Sequence, residues 1–162
     1  MPSLHGKFVW YELMTSEPEA AEAFYQRVVG WGAQRADMPG GAYTMLTAAD
    51  VPVAGLMGLP EEAKAAGAGP AWIGYVAVDD VDSSAAKAAE AGGSVRRAPD
   101  DIPGVGRFAI IADPQGAMLA LFQGAGSGGQ PPAPGAPGTG GWHELLARDE
   151  ATIFPFYAAV FG

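Results

Sequence analysis

A segment near the start of this 162-residue chain recurs at its end. Without any gap, Trp10–Gly30 aligns with Trp142–Gly162, and seven of the twenty-one paired residues are identical. The identities include a Trp-x-Glu-Leu run and a Phe-Tyr pair. A repeat on this scale marks one supersecondary unit that is used more than once, so it restricts the fold to an architecture built from similar modules.

The first module is predicted to have the order strand, helix and further strands. Residues 7–14 form the first predicted strand. A capping box of Ser16 and Glu19 is predicted to open the helix, and the apolar spacing places Phe24 and Tyr25 in the core against the sheet. Turn residues then separate predicted strands at 42–47 and 53–58.

The same order returns after a predicted loop at residues 59–70. A strand at 71–78 leads into a helix that begins at Asp80 with Ser83 and stops at a pair of glycines. Strands follow at 94–98, 107–112 and 117–123, and the turn Asp113-Pro114-Gln115-Gly116 joins the last two. Two βαβββ modules, at about 7–58 and 71–123, are therefore predicted within one domain spanning residues 1–123.

Each predicted module leaves one face of its sheet uncovered, and this predicts how the modules combine. A four-stranded sheet with one helix has one bare face, which a second module must cover. The predicted fold class is therefore α+β, with paired βαβββ modules forming a curved eight-stranded cup. Residues 124–141, of which twelve are Gly or Pro, predict a flexible linker. Residues 142–162 then predict the truncated start of a second domain, whose strand and apolar helix would lack their natural partner.

Charge and cysteine content narrow the possible partners. The net charge is -9 with nine Lys and Arg residues, which argues against nucleic-acid binding and against an anionic membrane surface. There is no run of eighteen apolar residues to predict a membrane-spanning helix. The chain has no cysteine, which suits a reducing cytoplasm. We therefore expect a cytoplasmic protein that binds a small-molecule ligand, and a homodimer is plausible.

Three motifs together resemble one protein family. They are the helix signature at 17–30 with its Phe-Tyr pair, the second-module start at 76–82, and the closing hairpin at 113–116. This combination is similar to the vicinal oxygen chelate superfamily, the glyoxalase, bleomycin-resistance and dioxygenase fold, over residues 7–123. The resemblance implies metal ligands on the first and last strand of each module, usually His, Glu or Gln.

The residues at those four positions depart from the family pattern. They are Trp10, Gly55, Ala120 and, with a register uncertain by one, Trp72 or Ile73. None of these side chains binds a metal, and His5 and His143 fall elsewhere in the pattern. We therefore expect neither metal nor cofactor.

Strand alternation brings Trp10, Glu12 and Met14 to one face, which would line the cup together with Gly55 and Ala120. Glu12 is the candidate general base or ligand hook; the alternative is a structural pairing with Arg107 or a backbone amide.

Two other residue types are candidates for ligand binding. Trp10 and Trp72 are predicted to stack on a flat ligand, or else to fill the space that a metal would occupy. Arg107 is a candidate partner for an anionic ligand, or else a solvated charge on a strand.

The resulting function is a metal-independent protein that binds a small aromatic or cationic molecule in an apolar cup. One alternative is a lyase, isomerase or hydroxylase-like enzyme of the same superfamily that uses Glu12. Another is a metal-dependent lyase or dioxygenase whose ligand register differs from the one used here. In a fourth hypothesis, side chains fill the cup and the chain is an interaction protein.

Overall fold

The structure, a computed structural model, describes residues 3–38, 41–126 and 135–162, with only the backbone at position 37. In chain order the elements are β1 (Phe8–Thr15), α1 (Pro18–Val29), β2 (Gly32–Met38), β3 (Gly41–Ala48), β4 (Val51–Gly58), α2 (Glu61–Ala65), β5 (Ala71–Ala77), α3 (Val81–Glu90), β6 (Ser94–Ile102), β7 (Gly106–Ala112), β8 (Met118–Gly124) and α4 (Glu150–Phe161). The order βαβββ therefore occurs twice, and the predicted α+β fold of paired modules is confirmed.

The strands follow the module pattern in their pairing as well. Their hydrogen-bonded order is β2-β3-β4-β1-β5-β8-β7-β6, so the first strand of each module lies beside its last strand. The β1–β4 and β5–β8 pairs are parallel, because a helix and two strands separate the partners, whereas the neighbouring pairs within each module are antiparallel.

Two compact units are present, and each has its own core. The first-module unit consists of residues 10–73 with 135–143, and Leu13, Leu46 and Leu56 are buried in it beneath α1. The second-module unit consists of residues 3–9, 74–126 and 144–162. In its core, apolar residues of α3 and α4 pack on one side of strands β7 and β8.

Three connecting segments differ from their predictions. The predicted loop at 59–70 contains the short helix α2, in which Lys64 pairs with Glu61 at 2.6 Å. The predicted strand at the start of the third repeat is absent from residues 142–147, which form no ladder with any described strand. Residues 135–141 of the predicted flexible linker lie against the first-module unit, where Gly138 O accepts a hydrogen bond from Trp31 Nε1 at 2.8 Å. Residues 127–134 lie outside the described residues.

The start of α1 also corrects a prediction. Its N-cap is Glu17, which makes no side-chain capping bond, so Ser16 and Glu19 do not form the predicted capping box. Pro18 occupies the first turn, where its missing N–H is not needed. By contrast, Asp80 caps α3 as predicted and accepts from Ser83 N at 2.6 Å.

The helix of the third repeat, α4, was predicted to lack its natural partner, and in the structure it packs on α3. Its residues Ile153, Phe156 and Val160 are buried, the last two in the core that α3 contributes to. The closing hairpin holds it as well: Tyr157 donates to Asp113 Oδ2 at 2.8 Å.

The side chain of Gln115, in the same hairpin, hydrogen-bonds to backbone atoms just before α4. Gln115 Oε1 accepts from Arg148 N at 2.7 Å, and Gln115 Nε2 donates to Asp149 O at 2.8 Å. Asp149 itself caps the helix by accepting from Ala151 N and Thr152 N. No helix in the described part of the chain is long and apolar enough to cross a membrane.

Candidate functional site

The candidate site lies on the sheet face of the first module that points away from α1. Cross-strand register places Glu12 opposite Gly55, and Gly55 opposite Met45. A second row places Met14 opposite Met57, and Met57 opposite Tyr43. We call this surface the first-module face; it consists of Trp10, Glu12, Met14, Tyr43, Met45, Gly55 and Met57.

Two hydrogen bonds connect strands β1 and β3 across β4 on this face. The Tyr43 hydroxyl on β3 donates to Glu12 Oε2 on β1 at 2.9 Å. The Tyr43 hydroxyl oxygen in turn accepts from Trp10 Nε1 at 3.2 Å. All three side chains are half-buried, so the carboxylate is fixed in direction beside a mostly apolar surface.

Gly55 makes this arrangement possible. A Cβ atom at this position would lie 1.9 Å from Tyr43 Oη, 2.5 Å from its Cζ and 3.0 Å from Glu12 Oε2. No side chain fits in that space, because real Cβ atoms do not approach other heavy atoms so closely. The Tyr43 ring therefore crosses β4 over Gly55, which has no side chain, and it fills the position where the family resemblance implies a metal ligand.

The chemistry available on the first-module face follows from its composition. Glu12 can accept a hydrogen bond or a proton from a bound molecule, and Tyr43 fixes its orientation. Thioether side chains and an indole surround the carboxylate, and such groups adapt to flat apolar ligands. The prediction that Trp10, Glu12 and Met14 share one face agrees with the structure, and Gly55 lies among them.

The structure does not bring Trp72 to this face. Its Nε1 donates to the Tyr25 hydroxyl at 2.8 Å, and its ring lies 5.3 Å from the Tyr25 ring and 6.1 Å from Trp31. These partners pack on the α1 side of the sheet, opposite Trp10. The predicted pair of stacking walls is therefore corrected: of the two candidate positions, Ile73 shares the strand face of Tyr75 and Trp72 does not.

The second module carries apolar residues at the corresponding positions. Ala120 is fully buried, with Tyr75 opposite it on β5 and Ile110 on β7. The Tyr75 ring lies 6.4 Å from Phe108 and 6.2 Å from Phe122. Across the described residues, no group of three or more His, Asp or Glu side chains is arranged to hold a metal ion.

Arg107 is engaged by acidic side chains of the second-module unit. Its Nε and Nη2 donate to the two oxygens of Asp82 at 2.7 and 2.9 Å, and Nη1 donates to Asp101 at 2.9 Å. The hydrogen bonds from Arg107 hold the pKa of Asp82 below its usual range, and those to Asp82 and Asp101 raise the pKa of Arg107. The hydrogen bonds described for Arg107 go to Asp82 and Asp101, and the one described for Glu12 comes from Tyr43.

Both histidines hydrogen-bond to residues distant in sequence. His5 Nδ1 accepts from Asp79 N at 3.2 Å. His143 stacks on Tyr11 and hydrogen-bonds its hydroxyl, on the α1 side of the sheet. Burial raises the pKa of Tyr11. Neither histidine belongs to the first-module face.

Tyr43 is the functional residue that sequence reasoning missed. Its role depends on a partner twelve residues later, because only Gly55 leaves room for the ring to reach Glu12. A glycine inside a strand pattern often marks a close approach by another group, and this was the available signal.

Comparisons with known proteins agree with the paired modules. The family model described as Glyoxalase/Bleomycin resistance protein/Dioxygenase superfamily matches residues 7–121. CFP32 of Mycobacterium tuberculosis, whose name describes it as a glyoxylase, is 45% identical over 119 residues, covering 73% of this chain and 44% of that protein. The anthracycline biosynthesis protein DauV of a Streptomyces species is 34% identical over 170 residues, covering 97% of this chain and 61% of that protein.

Two solved structures share the fold at low identity. Methylmalonyl-CoA epimerase from Mycobacterium tuberculosis has a TM-score of 0.56 at 16% identity, covering 77% of this chain and 92% of that one. A mutant of 4-hydroxymandelate synthase from Streptomyces coelicolor has a TM-score of 0.61 at 21% identity, covering 98% of this chain and 53% of that one. Likeness at this identity shows the fold alone.

Proposed function

This chain belongs to the Glyoxalase/Bleomycin resistance protein/Dioxygenase superfamily, and we propose that it binds a planar aromatic small molecule on the first-module face without a metal ion. The observation that carries the proposal is the Tyr43 ring over Gly55, where the family pattern implies a metal ligand. In its place stand an indole, a phenol and an oriented carboxylate.

The side chains at the positions where the family places metal ligands support a metal-independent function. Gly55 and Ala120 have no donor atom, and Trp10 carries an indole N–H that donates to Tyr43. A carboxylate alone, Glu12, is too few ligands for a transition metal site. Elemental analysis of the purified protein is expected to give far less than one transition metal per chain, and a stoichiometric metal contradicts the proposal.

The surface chemistry supports a flat ligand with a cationic or hydroxyl group. Trp10 and the methionines offer a polarisable surface for an aromatic ring system, while Glu12 offers an acceptor for an amino or hydroxyl group. The net charge of -9 favours cationic compounds. Two relatives named as anthracycline biosynthesis proteins support this class, since anthracyclines join planar rings to an amino sugar.

Calorimetric titration with an anthracycline and with its sugar-free ring system tests the proposal. Trp10→Ala is expected to weaken the binding of both compounds by about tenfold, since one aromatic contact is lost. Glu12→Gln is expected to weaken the binding of the amino-sugar compound more than that of the ring system. Trp142→Ala, which removes an exposed indole, is the matched control. The absence of heat with both compounds, or equal losses in the Trp10 and Trp142 variants, contradicts the proposal.

A second function, a metal-free isomerase or lyase, is favoured by the 2.9 Å hydrogen bond that orients Glu12. In this function Glu12 acts as general base on a bound carbonyl compound, which agrees with the name of the relative called a glyoxylase. Glu12→Gln is expected to lower turnover by at least about 100-fold, and Tyr43→Phe by less. Turnover that Glu12→Gln leaves unchanged rules out this function.

A further inference from the structure

Helix α1 has an apolar face that nothing in the described structure covers. Phe24 is 54% exposed and Val28 is 63% exposed, and no residue of the helix is buried. Among the described elements, α1 packs on β2 and β4 and on no helix. Large apolar side chains adjacent on one helix face are a common mark of an interaction surface.

The internal repeat shows what such a face is used for. Phe24 and Val28 align with Phe156 and Val160 of α4, which are each only 2% exposed. These two residues pack in the core formed with α3. The same pattern is therefore open on α1 and covered on α4, and the cover is a helix.

The covering helix has a defined chemistry. α3 presents Ala85 and Ala88, which are buried and small enough to let a neighbouring helix come close. Gly93 follows it, and a Cβ atom there would lie 2.6 Å from Phe156 Cε2. An alanine-rich helix that ends in glycine is thus the surface on which this aromatic residue packs.

We propose that the Phe24 and Val28 face of α1 docks an alanine-rich, glycine-terminated helix of another βαβββ module, one that this chain does not contain. A second copy of the chain does not offer such a helix, because its own α4 already covers α3. The curated relatives have room for a further module, since this chain spans 44% and 61% of their length.

The test uses the whole chain and a helix-stabilised peptide with the sequence of residues 79–93. Nuclear magnetic resonance titration is expected to show saturable shifts of amide signals in α1, centred on Phe24 and Val28. Phe24→Asp is expected to weaken binding at least about tenfold. Phe154→Asp is the matched control, because Phe154 is exposed on α4 and its loss should leave binding unchanged.

A control peptide and a folding check complete the experiment. A control peptide with Glu in place of Ala85 and Ala88 should not shift the α1 signals. Circular dichroism confirms that both peptides are helical and that the chain variants are folded. The proposal is overturned if α1 signals stay unmoved, if both peptides act equally, or if sedimentation shows a dimer that Phe24→Asp dissociates, which makes a second copy the occupant.

Discussion

Helices α1 and α4 are two copies of one repeated segment, yet they differ in nearly everything outside their own backbone. Phe156 of α4 is buried against the second-module core, whereas Phe24 of α1 faces solvent. Tyr157 donates to the buried Asp113, whereas Tyr25 accepts from the partly exposed Trp72. The difference shows that an apolar stripe specifies a helix and a face, while its neighbours decide whether that face is buried.

The largest test of this comparison replaces the two aligned phenylalanines. Phe156→Ala should lower the free energy of unfolding by about 3–5 kcal/mol, because it leaves a cavity in a closed core. Phe24→Ala should lower it by less than about 1 kcal/mol, because half of that ring already contacts water. Urea unfolding of both variants measures the two values. Equal losses would mean that α1 is covered in solution.

A smaller difference is expected for the two aligned tyrosines. Tyr157→Phe should cost about 1–3 kcal/mol, because it leaves an oxygen of the buried Asp113 without this donor. Tyr25→Phe should cost less, because water can reach Trp72 and replace the lost acceptor. Thermal unfolding at neutral pH ranks the two variants. A larger loss at Tyr25 would show that the first-module aromatic cluster is the more tightly packed one.

The Tyr157 hydroxyl also predicts how the stability of the fold changes in alkali. Burial, with the hydrogen bond to Asp113, raises the pKa of Tyr157 above its ordinary value. The neutral phenol is therefore favoured by folding, so this contribution is complete below about pH 10 and is lost as the pH rises further. Stability curves between pH 8 and 11 should fall less steeply for Tyr157→Phe than for the unmodified chain. Identical slopes would contradict the assignment.

The smallest expected difference is at the helix starts. Asp149→Ala should cost about 1 kcal/mol, because its carboxylate caps two backbone N–H groups of α4. Glu17→Ala should cost close to nothing, since Glu17 makes no side-chain cap. Chemical unfolding measures the free energy of unfolding of both variants. A comparable loss for Glu17→Ala would show that the Glu17 side chain caps α1 in solution.

Much of the fold follows from sequence pattern alone. The turn residues and the Asp80 cap are local signals, and each predicts its element without knowledge of distant parts of the chain. The repeat predicts helix α4, but the strand it predicts before that helix does not form. The exposure of Phe24 and the docking of α4 were not predictable in this way. They depend on which helix lies opposite, and helical spacing carries no information about that.

In the candidate site, too, the local pattern was predictable and the contacts between distant segments were not. Alternation along β1 correctly grouped Trp10 with Glu12, because side chains two residues apart share a strand face. Tyr43 was missed because its role arises from pairing across three strands. Trp72 was assigned to the wrong side because a shift of one residue reverses the face of every side chain in a strand.

The bare backbone at Gly55 also bears on how this chain could change over generations. Introducing a carboxylate there by Gly55→Glu alone would displace the Tyr43 ring and separate it from Trp10 and Glu12. A smaller residue at position 43 would have to come first for a side chain at position 55 to be accommodated. The two positions are therefore coupled, since the Tyr43 ring and a side chain at position 55 would occupy the same space.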